Sequence, residues 1–285
     1  MLFAMPILGS FDRDKIIYPL RNYLRQSEAL QNALALLGQL DELMALHRYA
    51  QGSQSPAVLP KIVEQRQHLL RLSSVRNPIL TVSNPDYVAN DIALDPDRLI
   101  FITGPNSGGK TAFCKTLAQV QLMAQIGGYV PAQEAELCPA QFISYQTPEF
   151  NRLGDSEGRF GTELQHTKRI FLAANPRSLV ILDEIAEGTT QTERVEIAYN
   201  VLSGFHKLGN STILITHNHE LVERFQADGI GAYRQVEFVH DTPTYKLISG
   251  ISRISHADRI ASRIGFTKED IARYLDDKGV EDHKG

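Results

Sequence analysis

The stretch LIFITGPNSGGKTAFCKTLA, residues 99–118, decides how the rest of the chain is read. Leu99, Ile100, Phe101, Ile102 and Thr103 form an apolar run of strand-forming residues that stops at Gly104. Residues 104–111 then fit G-x-x-x-x-G-K-[ST], and an apolar helical pattern follows at once. A strand, a glycine-rich loop and a helix in that order are the context that gives this motif physical meaning. Gly104, Gly108 and Gly109 lack a Cβ, so the backbone can curl and aim successive N–H groups inward at phosphate oxygens. The helix beginning near Lys110 adds its positive N-terminal end. The loop residues Gly104, Pro105, Asn106, Ser107, Gly108 and Gly109, with Ala112 behind them, are the expected phosphate cradle. Lys110 is expected between the β- and γ-phosphates, and the Thr111 hydroxyl on Mg²⁺. The stretch predicts a nucleoside triphosphate site.

A second signal lies further along the chain, where Ser178-Leu179-Val180-Ile181-Leu182 ends in Asp183 and Glu184. Apolar residues closing on two carboxylates describe a buried parallel strand whose C-terminal end opens at a site. Asp183 is expected to hold Mg²⁺ through water, and Glu184 to orient or deprotonate the attacking water. Another buried strand, Thr212-Ile213-Leu214-Ile215-Thr216, ends at His217, which is placed to sense a γ-phosphate. His219, two residues on, carries no such role.

At 285 residues, with 42% hydrophobic and 22% charged residues, the chain has room for one large α/β domain and a smaller appendage. No apolar run approaches the roughly 20 residues that span a bilayer, and the two cysteines, Cys114 and Cys138, build neither a disulfide framework nor a four-ligand zinc site. Cys114 is read as a buried small hydrophobe, and the expected compartment is the cytoplasm. The net charge is −4. The stretch ahead of Arg76 is slightly basic and the remainder acidic, so neither part shows the strong basic excess of a stand-alone nucleic-acid binder.

Along the chain, residues 12–50 read as helix, with Asp12 as N-cap and Gly38 as a candidate kink. Residues 61–72 read as a further short helix. From about Val75 short strands are expected, at 77–80 and within 87–94. A helix is expected over 112–127, a strand over 141–145, a loop over 149–161 and a helix over 162–174. Helix 192–208 is expected to close on Gly209. A strand pair, 235–240 with 244–247, turns around Asp241-Thr242-Pro243, and tail helices are expected at 256–264 and 268–275.

Taken together these segments resemble the ATPase domain of the MutS family of DNA mismatch-repair proteins. GPNSGGKT is similar to the family's GPNMGGKS/T, with Ser107 in place of the usual methionine. Arg76-Asn77-Pro78 resembles its RHP, YVANDIAL (87–94) its F-[IV]-x-N-x-[IL]-x-L, and IGGYVPA (126–132) its IG-[SC]-[FY]-VPA. SLVILDEIAEGTTQTERVEIA (178–198) and THNHEL (216–221) continue the match, which is collinear over roughly residues 76–275. The resemblance implies a P-loop NTPase fold of ABC type: a mixed, mainly parallel sheet flanked by helices. A small helical segment precedes it over 1–75, and a tail of 276–285 follows. It also implies ATP and Mg²⁺ as ligands, a homodimer through the ATPase domain with composite sites, and Tyr87 stacked on the adenine.

The family's signature segment falls on residues 158–163, where Gly158 occupies the place of the serine that would reach the partner's nucleotide; Ser156 is a substitute if the loop is shifted. The short stretch ahead of the ATPase leaves no room for the family's mismatch wedge and DNA clamp. The chain is therefore expected to be a piece of a longer protein or a short divergent relative. Duplex DNA is then a partner of the longer protein and bound weakly by this chain, and no membrane is involved. Besides an ATP-hydrolysing motor, the residues leave open a nucleotide-gated dimerisation switch with little turnover, and an SMC-class DNA-associated ATPase.

Overall fold

The computed structural model describes residues 13–53, 55–84, 86–105, 108–147, 158–186, 188–240, 242–252, 261 and 264–277. The chain divides into two compact units, Met1–Gly52 and Ser53–Gly285.

In the first unit a π-helical turn, Arg13–Ile17, runs into α1 (Tyr18–Gln26), and α2 (Glu28–Gly52) follows. The helix expected over 12–50 is thus interrupted once, at Ser27, whose hydroxyl accepts from Leu30 N and whose carbonyl accepts from Gln31 N. That is a cap, so the chain restarts there, while Gly38 is carried inside an unbroken α2. Asp12 lies outside the described residues. Leu34, Leu37, Leu40 and Leu43 of α2 are all more than half exposed.

The second unit begins differently from expectation. Residues 61–72 are not a helix: they contain β1 (Lys61–Ile62) and enter β2 (Leu70–Val75). Leu70, Leu72 and Val75 are buried against partners far away in sequence, which overrides local helix propensity. The strand expected at 77–80 is a turn leading into a short helix, α3 (Leu80–Ser83), because Asn77 Oδ1 accepts from both Ile79 N and Leu80 N. β3 (Asn90–Ala93), β4 (Leu99–Thr103) and α4 (Lys110–Gln125) follow, then β5 (Glu134–Leu137), which carries no sequence signal, and β6 (Phe142–Gln146).

Next come α5 (Gly158–Ala173), β7 (Ser178–Asp183), α6 (Gln191–Leu208) and β8 (Ser211–Ile215). Helix α5 starts earlier than expected, at Gly158 rather than Thr162, its two glycines notwithstanding. Thr167 and Gln146 bond side chain to side chain at 3.1 Å and pin this helix to β6. The remainder of the expected 149–161 loop lies outside the described residues. An unforeseen helix, α7 (His219–Ala227), precedes the hairpin β9 (Ala232–Val239) and β10 (Thr242–Ser249). Helix α8 (Lys268–Asp277) ends the described chain, and most of the helix expected at 256–264 lies outside it. No helix among the described residues is long and apolar enough to cross a membrane.

A four-stranded sheet has the order β1-β5-β2-β3, and a six-stranded sheet the order β10-β9-β4-β8-β7-β6. In the larger sheet every pairing is parallel except β9 with β10. Strand periodicity splits its core in two. Ile100, Ile102, Leu179, Ile181, Ile213 and Ile215 face Phe113, Leu117 and Val120 of α4 together with the small sheet. Leu99, Phe101, Val180, Leu182 and Leu214 face Leu202 and Phe205 of α6 and Leu221 and Phe225 of α7. Because both faces are covered, the central strands read as continuous apolar runs.

A polar knot is buried at the other end of β8. His68 is fully buried, with Nδ1 2.8 Å from Ser211 Oγ and Nε2 3.3 Å from Gln121 Oε1. The amide oxygen of Gln121 can only accept, so Nε2 carries the proton and the Ser211 hydroxyl donates to Nδ1. Burial chiefly, with Arg98 and Arg177 nearby, lowers the His68 pKa from 6.5 to about 4. The unfolded chain then binds more protons than the folded one between these values, so stability falls as pH drops through that window. Urea unfolding at pH 7 and pH 4.5 is expected to differ by roughly 2–3 kcal/mol from this group, and the His68→Gln variant to lose that part of the pH dependence.

Candidate active site

Three adjacent inner strands, β4, β8 and β7, end at one level. Glu184 N donates to Ile215 O at 2.9 Å and Thr216 N donates to Ile102 O at 3.1 Å, so the ladder continues one residue past β7 and β8. Gly104, Glu184 and Thr216 therefore emerge side by side at the C-terminal edge of the sheet.

The loop after β4 is packed directly on β9. A Cβ built on Gly108 would sit 2.9 Å from Val236 Cγ2, so any larger residue displaces the loop. Gly109 caps α4 at φ 79°, in the left-handed region, and a Cβ there would lie 3.1 Å from the ring of Tyr245. Asn106 and Ser107 lie outside the described residues. Lys110 is 3% exposed, and its Nζ donates to Gly104 O at 2.5 Å and Pro105 O at 2.8 Å. Burial lowers its pKa, against the opposing pull of Glu184 and Asp183.

Thr111 Oγ1 donates to Asp183 Oδ2 at 2.8 Å, which joins the two residues expected to serve a metal. Burial raises the Asp183 pKa, the Thr111 hydrogen bond countering it. Among the described residues there is no group of three or more His, Cys, Asp or Glu able to hold a metal by themselves. An oxygen pair of hydroxyl and carboxylate fits instead a hard cation that keeps most of its waters and binds phosphate.

Glu184 has φ 62°, unusual for a residue with a side chain, and its carboxylate is 12% exposed. Thr216 Oγ1 donates to Oε2 at 2.9 Å, His217 N to Oε1 at 3.1 Å, and His217 Nδ1 lies 2.6 Å from Oε1. Asn218 N donates in turn to Thr216 Oγ1 at 3.0 Å, which leaves the threonine hydroxyl proton for Glu184. Thr216 has no role in the quoted motif, and only the fold reveals one.

Beside Gly109 a cavity of about 450 Å³ is lined by Leu80, Tyr87, Val88, Gly109, Ala112, Phe113 and Tyr245, among others. Tyr87 is held through Thr116: that hydroxyl donates to Ala112 O and accepts from Asn77 Nδ2 at 2.9 Å, so the Tyr87 phenol, 3.4 Å away, is the donor to it. Burial raises the Tyr87 pKa and keeps the phenol protonated. Tyr245 escapes a reading of the sequence because it lies far along the chain from Tyr87, in a hairpin of another sheet. A larger cleft of about 720 Å³ on the four-stranded sheet, beside Lys61, Arg71 and Glu136, contains none of these residues. Gly158 opens α5, whose first turn lies against the loop after β7: a Cβ built on Gly188 would sit 2.8 Å from Phe160 Cβ.

A family model described as MutS domain V matches residues 100–269, which takes in both acidic and glycine-loop segments. The chain belongs to the MutS family. It is 34% identical over 202 residues to the DNA mismatch repair protein MutS of Chloroflexus aurantiacus, covering 68% of this chain and 20% of that one. It is 34% identical over 268 residues to the Endonuclease MutS2 of Levilactobacillus brevis, covering 90% and 32%. With the DNA mismatch repair protein msh3 of Emericella nidulans it shares 32% identity over 253 residues, covering 82% and 22%. The chain thus spans between a fifth and a third of the length of these curated relatives. MutS domain V is an ATPase domain with a P-loop fold, and the mixed, mainly parallel sheet described above agrees with it.

The Lys110 ammonium is held by two loop carbonyls. Lys110→Ala is expected to lower ATP affinity tenfold or more, the scale of a charge-assisted hydrogen bond of about 1.5–3 kcal/mol. Isothermal titration calorimetry beside a thermal melt checks this: unchanged affinity with a lowered melting temperature identifies Lys110 as structural.

Proposed function

We propose that this chain is the ATP-binding and ATP-hydrolysing module of a MutS-like DNA repair or recombination protein, and that it works as a nucleotide-closed homodimer. The observation that carries the reading is the convergence of Lys110, the Thr111–Asp183 pair and the Glu184–Thr216–His217 cluster on the ends of three adjacent strands.

In this reading the loop N–H groups that follow Pro105, with Lys110, receive the β- and γ-phosphates. Thr111 and Asp183 would hold Mg²⁺, the carboxylate through water, and the ion would supply charge neutralisation on the phosphate oxygens. Tyr87 stacks on the adenine in the cavity, with Ala112 at its floor. Glu184 accepts a hydrogen bond from the attacking water and takes up its proton. The positive φ of Glu184 and its three donors fix the carboxylate, so little reorganisation is needed at reaction. His217 completes the edge of the site facing the γ-phosphate.

In the dimer Gly158 and the rest of residues 158–163 serve the partner's loop in trans, the role that the match to the family's signature segment supports. A two-fold axis generates two such sites. As part of a longer protein, this module would transmit nucleotide state to a part that grips duplex DNA. A switch with little turnover is the second reading, favoured by the glycine at position 158 where the family has serine.

Both readings are tested together. With ATP and Mg²⁺ the Glu184→Gln variant is expected to sediment as a stable dimer, and wild-type specific activity to rise with protein concentration until the dimer saturates. A monomeric variant at saturating ATP, with wild-type activity flat across concentration, contradicts composite sites. Wild-type turnover equal to that of Glu184→Gln, with dimerisation intact, selects the switch.

A further inference from the structure

Strand β10 leaves its register with β9 between Pro243 and Leu247, so that Thr244, Tyr245 and Lys246 together oppose Glu237. Tyr245 sits in this bulge at φ 60°, a backbone conformation that an aromatic residue seldom adopts. A Cβ added at Gly109 would meet its ring at 3.1 Å, and Tyr245 stands on the wall of the 450 Å³ cavity that Gly109 and Tyr87 also line. Bulged residues lose their ladder partners, and here one side chain from another sheet replaces them. Asn90, 3% exposed, donates from Nδ2 to Tyr245 O at 3.0 Å and to Val88 O at 3.3 Å, and accepts from Leu247 N at 2.7 Å. Lys246 Nζ donates to the neighbouring Ala89 O at 2.8 Å.

We infer that Asn90 is a positioning residue for the nucleotide base: it holds the β10 bulge open so that Tyr245 and Tyr87 form the two walls of one base slot. The inference rests on the reading that the base occupies this cavity. The chemistry is specific to an amide. One group must donate to the carbonyls of Tyr245 and Val88 while accepting from Leu247, which neither a carboxylate nor a hydroxyl with its single proton can do. Asn90 also sits two residues after Val88 and three after Tyr87, so the same short segment supplies one wall and fixes the other. The phosphate-binding loop takes no part in these bonds, and the effect of Asn90 is therefore on the base rather than on the phosphates.

Affinities for ATP and for inorganic tripolyphosphate, each with Mg²⁺, separate the two. Asn90→Ala and Tyr245→Ala are each expected to weaken ATP binding five- to tenfold and leave tripolyphosphate binding unchanged. The double variant should bind ATP no more weakly than Tyr245→Ala alone. The chain contains no tryptophan, so a Tyr245→Trp variant carries a single reporter that ATP should quench, and adding Asn90→Ala should abolish that quench. Equal ATP affinity in wild type and Asn90→Ala, or additive losses in the double variant, overturns the inference. Loss of tripolyphosphate binding together with ATP binding makes Asn90 a structural staple and overturns it as well; Asn90→Asp, which keeps the Leu247 acceptor and should still lose the quench, repeats the test if Asn90→Ala fails to fold. Wild type that binds ATP no better than tripolyphosphate overturns the base reading itself.

Discussion

The site depends on the backbone ladder running one residue beyond the ends of β7 and β8. Two hydrogen bonds, Glu184 N to Ile215 O and Thr216 N to Ile102 O, bring three chain segments out at the same height. Their geometry is as rigid as the sheet that produces them, because β4, β7 and β8 are buried on both faces and cannot slip register without exposing apolar side chains. A slip of one residue would also turn Asp183 from Thr111 and Glu184 from Thr216. Packing of Ile, Leu and Val is thus what aims the carboxylates.

From that edge the polar groups are chained rather than scattered. Asn218 N occupies an acceptor position of the Thr216 hydroxyl, Thr216 donates to Glu184, and the second oxygen of Glu184 takes the His217 N–H and lies against its ring. The left-handed backbone at Glu184 costs about 1–2 kcal/mol in isolation, and these bonds offset it. On the opposite side Asn77 connects the small sheet to α4 through Thr116, and the same hydroxyl receives Tyr87. The segment between the small sheet's strands β2 and β3 therefore shapes one side of the cavity and Tyr245 of the large sheet another, while β4, β7 and β8 present the polar groups at their ends.

Much of this was legible locally. The loop motif, its lysine and hydroxyl, and the two apolar strands ending in Asp183 and His217 announce themselves because each is a contiguous run with one strong pattern. The helix end at Gly209 was legible for the same reason, and its φ of 78° is what a glycine after a helix supplies. The short helix at Leu80–Ser83 misled, since Asn77 and Pro78 are start signals within a segment that otherwise reads as extended. The region 61–72 misled because β2 finds its partners in β3 and β5, well beyond any local window of sequence.

The sequence by itself determined the nucleotide-loop architecture, the strand order of chemistry along the chain and the family, because those reside in short motifs whose backbone requirements only certain residues meet. Tertiary structure alone decided which distant groups meet: Thr111 with Asp183, Glu184 with Thr216, and Tyr245 with Gly109. Each pair joins separate elements of the chain. No local pattern encodes such meetings, for they follow from register and crossover, and in the case of Tyr245 from a bulge that a single buried asparagine stabilises.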